Sequence, residues 1–386
     1  MPTKILVVDD EPDLSLLISQ KFRKRVRDNE LVFTFAESGV AALRTLQENA
    51  GVEVVLTDIN MPEMDGLTLL AELKEKHPLI KTVIVSAYGD MANIRTALNR
   101  GAFDFITKPV DFDDVEITLD KTIRAAKEAQ QAAHDREKLI ALHRDLEVAR
   151  RIQSALVPHT FPPFPARKDF ALHAEMIPAR EVGGDFYDFF LIEPERLGFV
   201  IGDVSDKGVP AALFMAVSKT LLKAAALTGA TPDQCLDRVN TMLCMDNPSA
   251  MFVTVFYGIL NTRTGEVVYS NAGHNSPYIL RRDGRIEPAA TTNGLVLGAF
   301  ANVKQAAKQI LLQPGESMFL YTDGITEATD LNVAPFTEER LQECLQRASG
   351  SALADMVSSV VAAVNTFAQG APQADDVTVL ALRYLG

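Results

Sequence analysis

Five side chains in the first third of this 386-residue chain stand where apolar runs end. Asp9 and Asp10 follow residues 4–8, Asp58 follows 52–57, Ser86 closes 82–86, and Lys108 comes just past 103–106. If those runs are strands of one open parallel sheet, their ends gather at a single edge, where ligands bind. Three carboxylates packed there repel one another and call for a hard cation, and magnesium with carboxylate and water ligands suits them. Lys108 adds a compact positive charge for an incoming phosphoryl group, and the Ser86 hydroxyl can donate to one of its oxygens. The chemistry implied is the magnesium-assisted placing of a phosphoryl group on a carboxylate. Singly, each residue has a plainer use: an aspartate as a helix N-cap, Asp58 as a turn residue before Met61-Pro62, Lys108 as a solvated lysine. Their joint placement at successive strand ends carries the reading.

A second set of acids lies further on, in residues 182–188 (VGGDFYD), 202–208 (GDVSDKG), 322–324 (TDG) and 375–378 (DDVT). Each cluster adjoins an apolar run, and the first three set glycine beside the acid, which lets backbone approach a bound ion. Carboxylates and carbonyls without His or Cys select magnesium or manganese over zinc. Four acids suffice to hold two cations about 3.5–4 Å apart, a pair that activates water and neutralises a phosphate. Hydrolysis of a phosphate ester is the natural reaction. Asp188 and Asp206 read equally well as plain solvated acids. His274, in AGHNSPYIL, invites a role as general acid, but a lone histidine is more often structural. Calcium is a further alternative, although the EF-hand loop spacing is absent.

The elements that must position these residues fall into three stretches. Through about residue 110, five apolar runs alternate with helix-patterned segments, including one expected over 14–25, which implies a parallel sheet with helices on both faces. Residues 113–156 contain no Gly or Pro and are rich in Ala, Gln, Glu, Lys and Arg. Leu139, Leu142, Leu146, Ala149, Gln153 and Leu156 follow 3-4 spacing, the narrow seam of a coiled coil, with Gln153 interrupting it. A single helix lying along its own domain is the plainer alternative. Pro158 and FPPFP end the helix. From about residue 166, strands and helices come in runs, with turns at 261–265 and 282–285, as in an α+β sandwich of antiparallel sheets.

Composition excludes several classes. Hydrophobic residues make up 47% and charged residues 23%, which is ordinary globular composition. The net charge of −13 argues against binding nucleic acid or anionic membrane. Three separated cysteines, Cys235, Cys244 and Cys344, exclude a disulfide scaffold and fit a reducing cytosol. The start carries acids within ten residues and no apolar core, unlike a signal peptide. No apolar run approaches the ~18–20 residues of a membrane helix. A cytoplasmic protein is expected.

The motifs also carry two resemblances. Residues 4–125 resemble a response-regulator receiver domain, through KILVVDDEPD, VVLTDINMPEMDG, VIVSAYGD and GAFDFITKPV. The resemblance implies a doubly wound, flavodoxin-like α/β fold and Asp58 as acceptor of a phosphoryl group from a histidine kinase. It also implies a magnesium ion held by Asp10, Asp58 and the carbonyl of Asn60, assisted by Asp9, with Ser86 and Phe105 as switch pair and Lys108 as the family's lysine. Residues 166–386 resemble the metal-dependent PPM-type serine phosphatases of the sporulation and general-stress branch, through REVGGDFYDFF, GDVSDKGVPAALFMA, NAGHNSPYIL, YTDGITEA and DDVTVLALR, led in by ARRIQSALVP. That implies two antiparallel sheets between helices and two Mn2+ or Mg2+ ions. Asp203 would bridge the two, with Val204 offering its carbonyl, Asp185 on the second ion, and Asp323 and Asp375 on the first. One stretch departs: Thr337 stands where the family often has glycine beside Phe336.

The expected organisation is a receiver over 1–112, a helical linker over 113–157 that pairs two chains as a coiled coil, and a PPM phosphatase over 166–386. The expected substrate is a phosphoserine protein, by resemblance an anti-anti-sigma factor. A phosphorylation-gated adaptor with a dead phosphatase-like domain, holding a sigma factor or its regulator, is the alternative; known relatives of that kind have lost metal-binding acids that are present here. A transcription factor would need a basic recognition helix, and none is visible.

Overall fold

The computed structural model describes residues 2–87, 90–245 and 247–386; Tyr88 and Gly89 of the VIVSAYGD stretch lie outside them. Contacts divide the chain into two units, Met1–Leu142 and His143–Gly386.

The first unit runs β1 (Thr3–Val8), α1 (Pro12–Lys21), α2 (Arg23–Arg27), β2 (Leu31–Ala36), α3 (Gly39–Glu48), β3 (Val52–Asp58), α4 (Gly66–Lys76), β4 (Lys81–Ala87), α5 (Met91–Arg100), β5 (Asp104–Lys108) and the start of α6 (Phe112–Leu156). The strands form one parallel sheet in the order β2-β1-β3-β4-β5. β1 shows why such strands read as continuous apolar runs. Ile5 and Val7 enter a core with α1, while Leu6 and Val8 enter another with α3 and α4 on the opposite face. Side-chain caps start two of these helices: Ser38 accepts from Ala41 N at 3.3 Å and Asp65 from Thr68 N at 2.7 Å. The single helix expected over 14–25 is divided at Phe22, whose ring is buried in the α1-side core. Val115, Leu119, Ile123 and Ala126 of α6 join that same core, so the first turns of the long helix pack as part of this unit.

The second unit takes the rest of α6, then β6 (Phe170–Ile177), β7 (Phe186–Glu193), β8 (Arg196–Val204), α7 (Val209–Ala226), α8 (Pro232–Met245), β9 (Val253–Asn261), β10 (Glu266–Ala272), β11 (Tyr278–Leu280), β12 (Ile286–Pro288), β13 (Lys308–Leu311), β14 (Ser317–Tyr321), α9 (Asp323–Thr326), α10 (Thr337–Arg347), α11 (Leu353–Ala368) and β15 (Val377–Tyr384). Two antiparallel sheets, β13-β10-β9-β8-β7 and β12-β11-β14-β15-β6, share a core that includes Phe199, Ile201 and Phe256 from one and Leu320, Leu380 and Leu382 from the other. α7 and α8 cover the first sheet, and α10 and α11 cover the second through Leu341, Val357 and Val360. The structure is thus the doubly wound receiver fold, a long helix, and the α+β sandwich expected. β12 and β13 span only three and four residues, too short to display a period-two pattern. Thr337 adopts φ 72°, a left-handed conformation that explains why glycine suits this position.

One expectation needs correcting. α7 spans 18 residues with mean hydropathy 1.4, long and apolar enough to cross a membrane by length and composition. Ser218, Lys219, Thr220 and Lys223 break its apolar run, so no uninterrupted stretch announces it. In the fold Ala211, Met215, Lys219, Leu222 and Ala226 form its buried face.

The α6 seam also divides. Leu139 and Leu142 are 63% and 56% exposed, Leu146 and Ala149 half-buried, and Gln153 only 6% exposed. Its last turns therefore lie on their own domain, as the plainer alternative had it, while the earlier leucines face water.

Candidate functional site

In the first unit the carboxyl ends of four neighbouring parallel strands open on one edge. Asp9 follows β1, Asp58 closes β3, Ser86 stands next to the end of β4 and Lys108 closes β5. The carboxylate oxygens of Asp9, Asp10 and Asp58 lie within 4.8 Å of one another, with Asp9 and Asp58 buried and Asp10 exposed. Lys108 Nζ reaches Asp58 Oδ2 at 2.5 Å and Asp9 Oδ2 at 2.9 Å. Burial alone would lower the proton affinity of the Lys108 ammonium, but its bonds to Asp58 and Asp9 raise it above the ordinary value. Burial pushes the Asp9 carboxyl up, with Lys108 partly offsetting it. Such a cluster is short of positive charge, and its oxygen-only donors fit a magnesium ion. The backbone folds over Asp58: Asn60 N donates to Oδ1 at 3.2 Å, and a Cβ at Gly66 would collide with the Asp58 carbonyl. The Ser86 hydroxyl donates to Asp90 Oδ2 at 3.4 Å, and Phe105 packs half-buried with Ile59, Leu70 and Ile84.

In the second unit the acids come from the ends of four strands. Asp185 precedes β7 and Asp203 lies near the end of β8, strands paired at Phe186 and Gly202. Asp323 follows β14 and Asp375 precedes β15, strands paired at Tyr321 and Val379. Each sheet thus supplies one adjacent pair. Thr322 Oγ1 joins the sheets by donating to Asp185 Oδ2 at 2.8 Å. Burial, then repulsion from Asp323, pushes the Asp203 carboxyl up to about 7. Burial, then Asp203, raises Asp185 well above the carboxylate range, and burial with Glu327 and Asp375 raises Asp323. The Val204 carbonyl lies against Gly184. Among the described residues, only the receiver acids bring three carboxylates to within 4.8 Å of one another, and in the sandwich Lys207 Nζ occupies Asp375 Oδ2 at 2.8 Å. An all-oxygen cluster that holds protons this tightly fits divalent cations, whose binding would release them.

Several neighbours escaped the sequence reading. Asp376, beside Asp375, is buried and accepts from Ala179 N at 2.8 Å, Gly184 N at 2.7 Å and Asp185 N at 3.3 Å, so it braces the loop that carries Asp185. An aspartate doublet before a strand was the available signal. Asp188 is not a solvated acid: it is 1% exposed and accepts from Lys219 Nζ at 2.6 Å and Lys223 Nζ at 3.1 Å, fastening α7 to β7. Asp206 is exposed, with φ 68°.

His274 is buried. Its Nδ1 pairs with Thr254 Oγ1 at 2.8 Å, and Thr254 Oγ1 also donates to the Asp203 carbonyl at 3.4 Å. Burial pushes the imidazole down to about 4 from 6.5, so the ring is uncharged at neutral pH. A depressed folded value means that the unfolded chain takes up the proton first as pH falls. The stabilisation is therefore present above about 6.5 and is lost as pH falls towards 4, a span worth ~3 kcal/mol. Denaturant unfolding in EDTA between pH 7 and 4.5 is expected to show wild type losing stability more steeply than His274→Gln. The raised aspartates titrate oppositely but are common to both proteins, so equal slopes would refute this account.

These two folds and their acid clusters define a receiver domain and a PPM-type serine/threonine phosphatase domain in one chain. The chain belongs to the family described as Stage II sporulation protein E, whose profile matches residues 193–385, half of its length. The response regulator receiver domain profile matches residues 5–120. Protein IcfG of Synechocystis sp. is 31% identical over 265 residues, covering 62% of this chain and 41% of that protein, so the chain spans less than half of that relative's length. Phosphoserine phosphatase RsbU of Bacillus subtilis is 28% identical over 240 residues, covering 62% of this chain and 70% of RsbU. The SiaA PP2C domain of Pseudomonas aeruginosa shares the fold, with a TM-score of 0.56 and 21% identity over 64% of this chain and 98% of that one. PPM phosphatases depend on a divalent metal.

Proposed function

We propose that this chain is a response regulator in which a histidine kinase phosphorylates Asp58 and thereby controls the removal of phosphate from serine or threonine of a protein, an anti-anti-sigma factor being the best-supported substrate class. The observation that carries the reading is the presence, in one chain, of a complete acid–lysine receiver cluster and a complete set of sandwich acids. The likeness to RsbU supports the phosphoserine substrate. In the receiver, Asp10, Asp58 and the Asn60 carbonyl hold magnesium with Asp9 assisting, and Lys108 neutralises the incoming phosphoryl oxygens. Ser86 and Phe105 register the change. In the phosphatase, Asp203, the Val204 carbonyl, Asp185, Asp323 and Asp375 would hold two manganese or magnesium ions, with Asp203 shared, Asp185 on the second ion, and Asp323 and Asp375 on the first. Bound cations of this kind supply an activated water and charge neutralisation at phosphate. Lys207 must leave Asp375 for that role to be filled.

Two chains pair through α6. Leu139 and Leu142, three residues apart on one face of it, are exposed large apolar side chains, a surface that favours a partner helix. The reading is tested by phosphate release from a phosphoserine anti-anti-sigma protein with Mn2+, with and without an acyl-phosphate donor, alongside light scattering. A dimer is expected, with metal-dependent release that the donor changes severalfold. Leu142→Glu with Leu146→Glu should remove the donor's effect and leave a metal-dependent rate. A donor response persisting in the double variant, or a monomeric wild type with and without donor, would reject the paired helix. Absence of any metal-dependent release would favour the adaptor.

A further inference from the structure

Gln153 occupies a position whose spacing calls for an apolar residue, near the end of α6, and it is buried. Its amide does not point to solvent or to another side chain. Nε2 donates to the Gly183 carbonyl at 2.5 Å, and Oε1 accepts from Gly183 N at 3.1 Å. Both atoms of one amide thus grip the donor and the acceptor of one residue, fixing its orientation as well as its distance. Gly183 cannot be anything larger, because a Cβ there would collide with the Asp376 carboxylate. The Val182–Asp185 loop is therefore held from two sides, by the helix through Gln153 and by Asp376 through Gly184 N and Asp185 N.

A second tie lies four residues along. Tyr187 Oη donates to the Pro158 carbonyl at 2.6 Å, just past the end of α6, and Val157 between the two ties is buried in the sandwich core. The helix end is thus fastened two residues before Asp185 and two residues after it. If packing alone were the purpose, an aliphatic side chain at 153 would bury as well without an amide to satisfy. A buried amide with both atoms used on backbone specifies geometry.

We propose that Gln153 is a positioning residue for the phosphatase metal site: its two bonds to Gly183 tie the last turns of α6 to the loop that carries Asp185, so that where the helix end lies sets where this carboxylate stands. The inference rests on the proposed role of Asp185 as a ligand. Rotation or withdrawal of the helix end shifts the Gly183 peptide and, two residues on, the carboxylate, which gives receiver phosphorylation a mechanical route to metal affinity. Outer partners that orient ligands typically matter tenfold to a hundredfold in metal affinity.

The test is calorimetric titration of the full-length protein with Mn2+ alone, with thermal unfolding in EDTA as the check on folding. Gln153→Met keeps length and burial but makes neither bond. It is expected to bind Mn2+ about tenfold or more weakly than wild type, while still unfolding cooperatively in EDTA, at a lower temperature because the buried Gly183 N–H and C=O lose their partner. Phosphate release should then need about tenfold more Mn2+ and recover towards the wild-type rate at saturation. Unchanged Mn2+ affinity in a folded Gln153→Met, or a rate defect that saturating Mn2+ does not relieve, would overturn the proposal. If Gln153→Met does not fold, Gln153→Asn, polar but one methylene too short for the grip, is read by the same criteria. Failure of wild type itself to bind Mn2+ would instead overturn the metal-site reading on which the proposal stands.

Discussion

Asp203→Asn is expected to reduce phosphate release by on the order of a thousandfold or more while the protein still folds. The side chain stands near the end of β8, the strand paired with the one that follows Asp185, and burial and Asp323 push its carboxyl up to about 7. Asparagine keeps the shape and removes the charge that a bridging ligand must supply. The same substitution should stabilise the metal-free protein at alkaline pH. The folded value is raised above the ordinary 3.8, so the folded state is penalised as pH rises from about 4 to 7 and stays penalised above. In EDTA at pH 8, Asp203→Asn should therefore melt above wild type, with the difference closing near pH 4. Near-normal release at saturating Mn2+ would rule out a bridging role for Asp203.

The candidate acids were legible because each adjoins an apolar run and because glycine or a second acid marks the turn, as at 202–203, 323–324 and 375–376. What braces them was not. Lys219 and Lys223 look like solvent-facing charges on α7, yet both reach Asp188, since the lysine stem buries along apolar surface while its ammonium meets a carboxylate. Asp376 could not be told from Asp375 by type; backbone geometry alone sends one towards Lys207 and the other onto the 183–185 loop. Gln153 read as a flaw in a coiled-coil seam because helical periodicity reports which face is covered and not by what. The strands of the first unit were plain from their unbroken apolar runs, whereas β12 and β13 hold too few residues to show a period.

The break at Phe22 has a similar cause. Apolar spacing continues through residues 14–26, but burial of the Phe22 ring with Leu14 and Ile18 turns the chain out of helix for one residue before α2 resumes. Periodicity therefore located the buried face of α1 but overstated the continuity of both backbone and burial, because α2 buries none of its residues and tertiary packing overrides local propensity at Phe22.

Asp58→Ala is expected to abolish labelling by a small acyl-phosphate donor and, with it, the donor's effect on phosphate release. Asp58 is the carboxylate at the centre of the edge: Lys108 Nζ lies 2.5 Å from its Oδ2, Asn60 N donates to its Oδ1, and the other two acids stand within 4.8 Å. Lys108 is already paired with Asp58 and Asp9, so an arriving phosphoryl oxygen competes for an ammonium in place, with no charge to be carried in from solvent. Alanine removes the carboxylate that Lys108 approaches most closely, at 2.5 Å against 2.9 Å for Asp9. Asp188→Ala is an unsuitable control, because it would leave Lys219 buried without its partner. Asp206, exposed and in the other unit, serves instead, and Asp206→Ala should label as wild type does. Autoradiography with a radiolabelled donor reads both variants. Label persisting on Asp58→Ala would place the acceptor elsewhere, and a donor response without label would detach the control of phosphate release from phosphorylation of this edge.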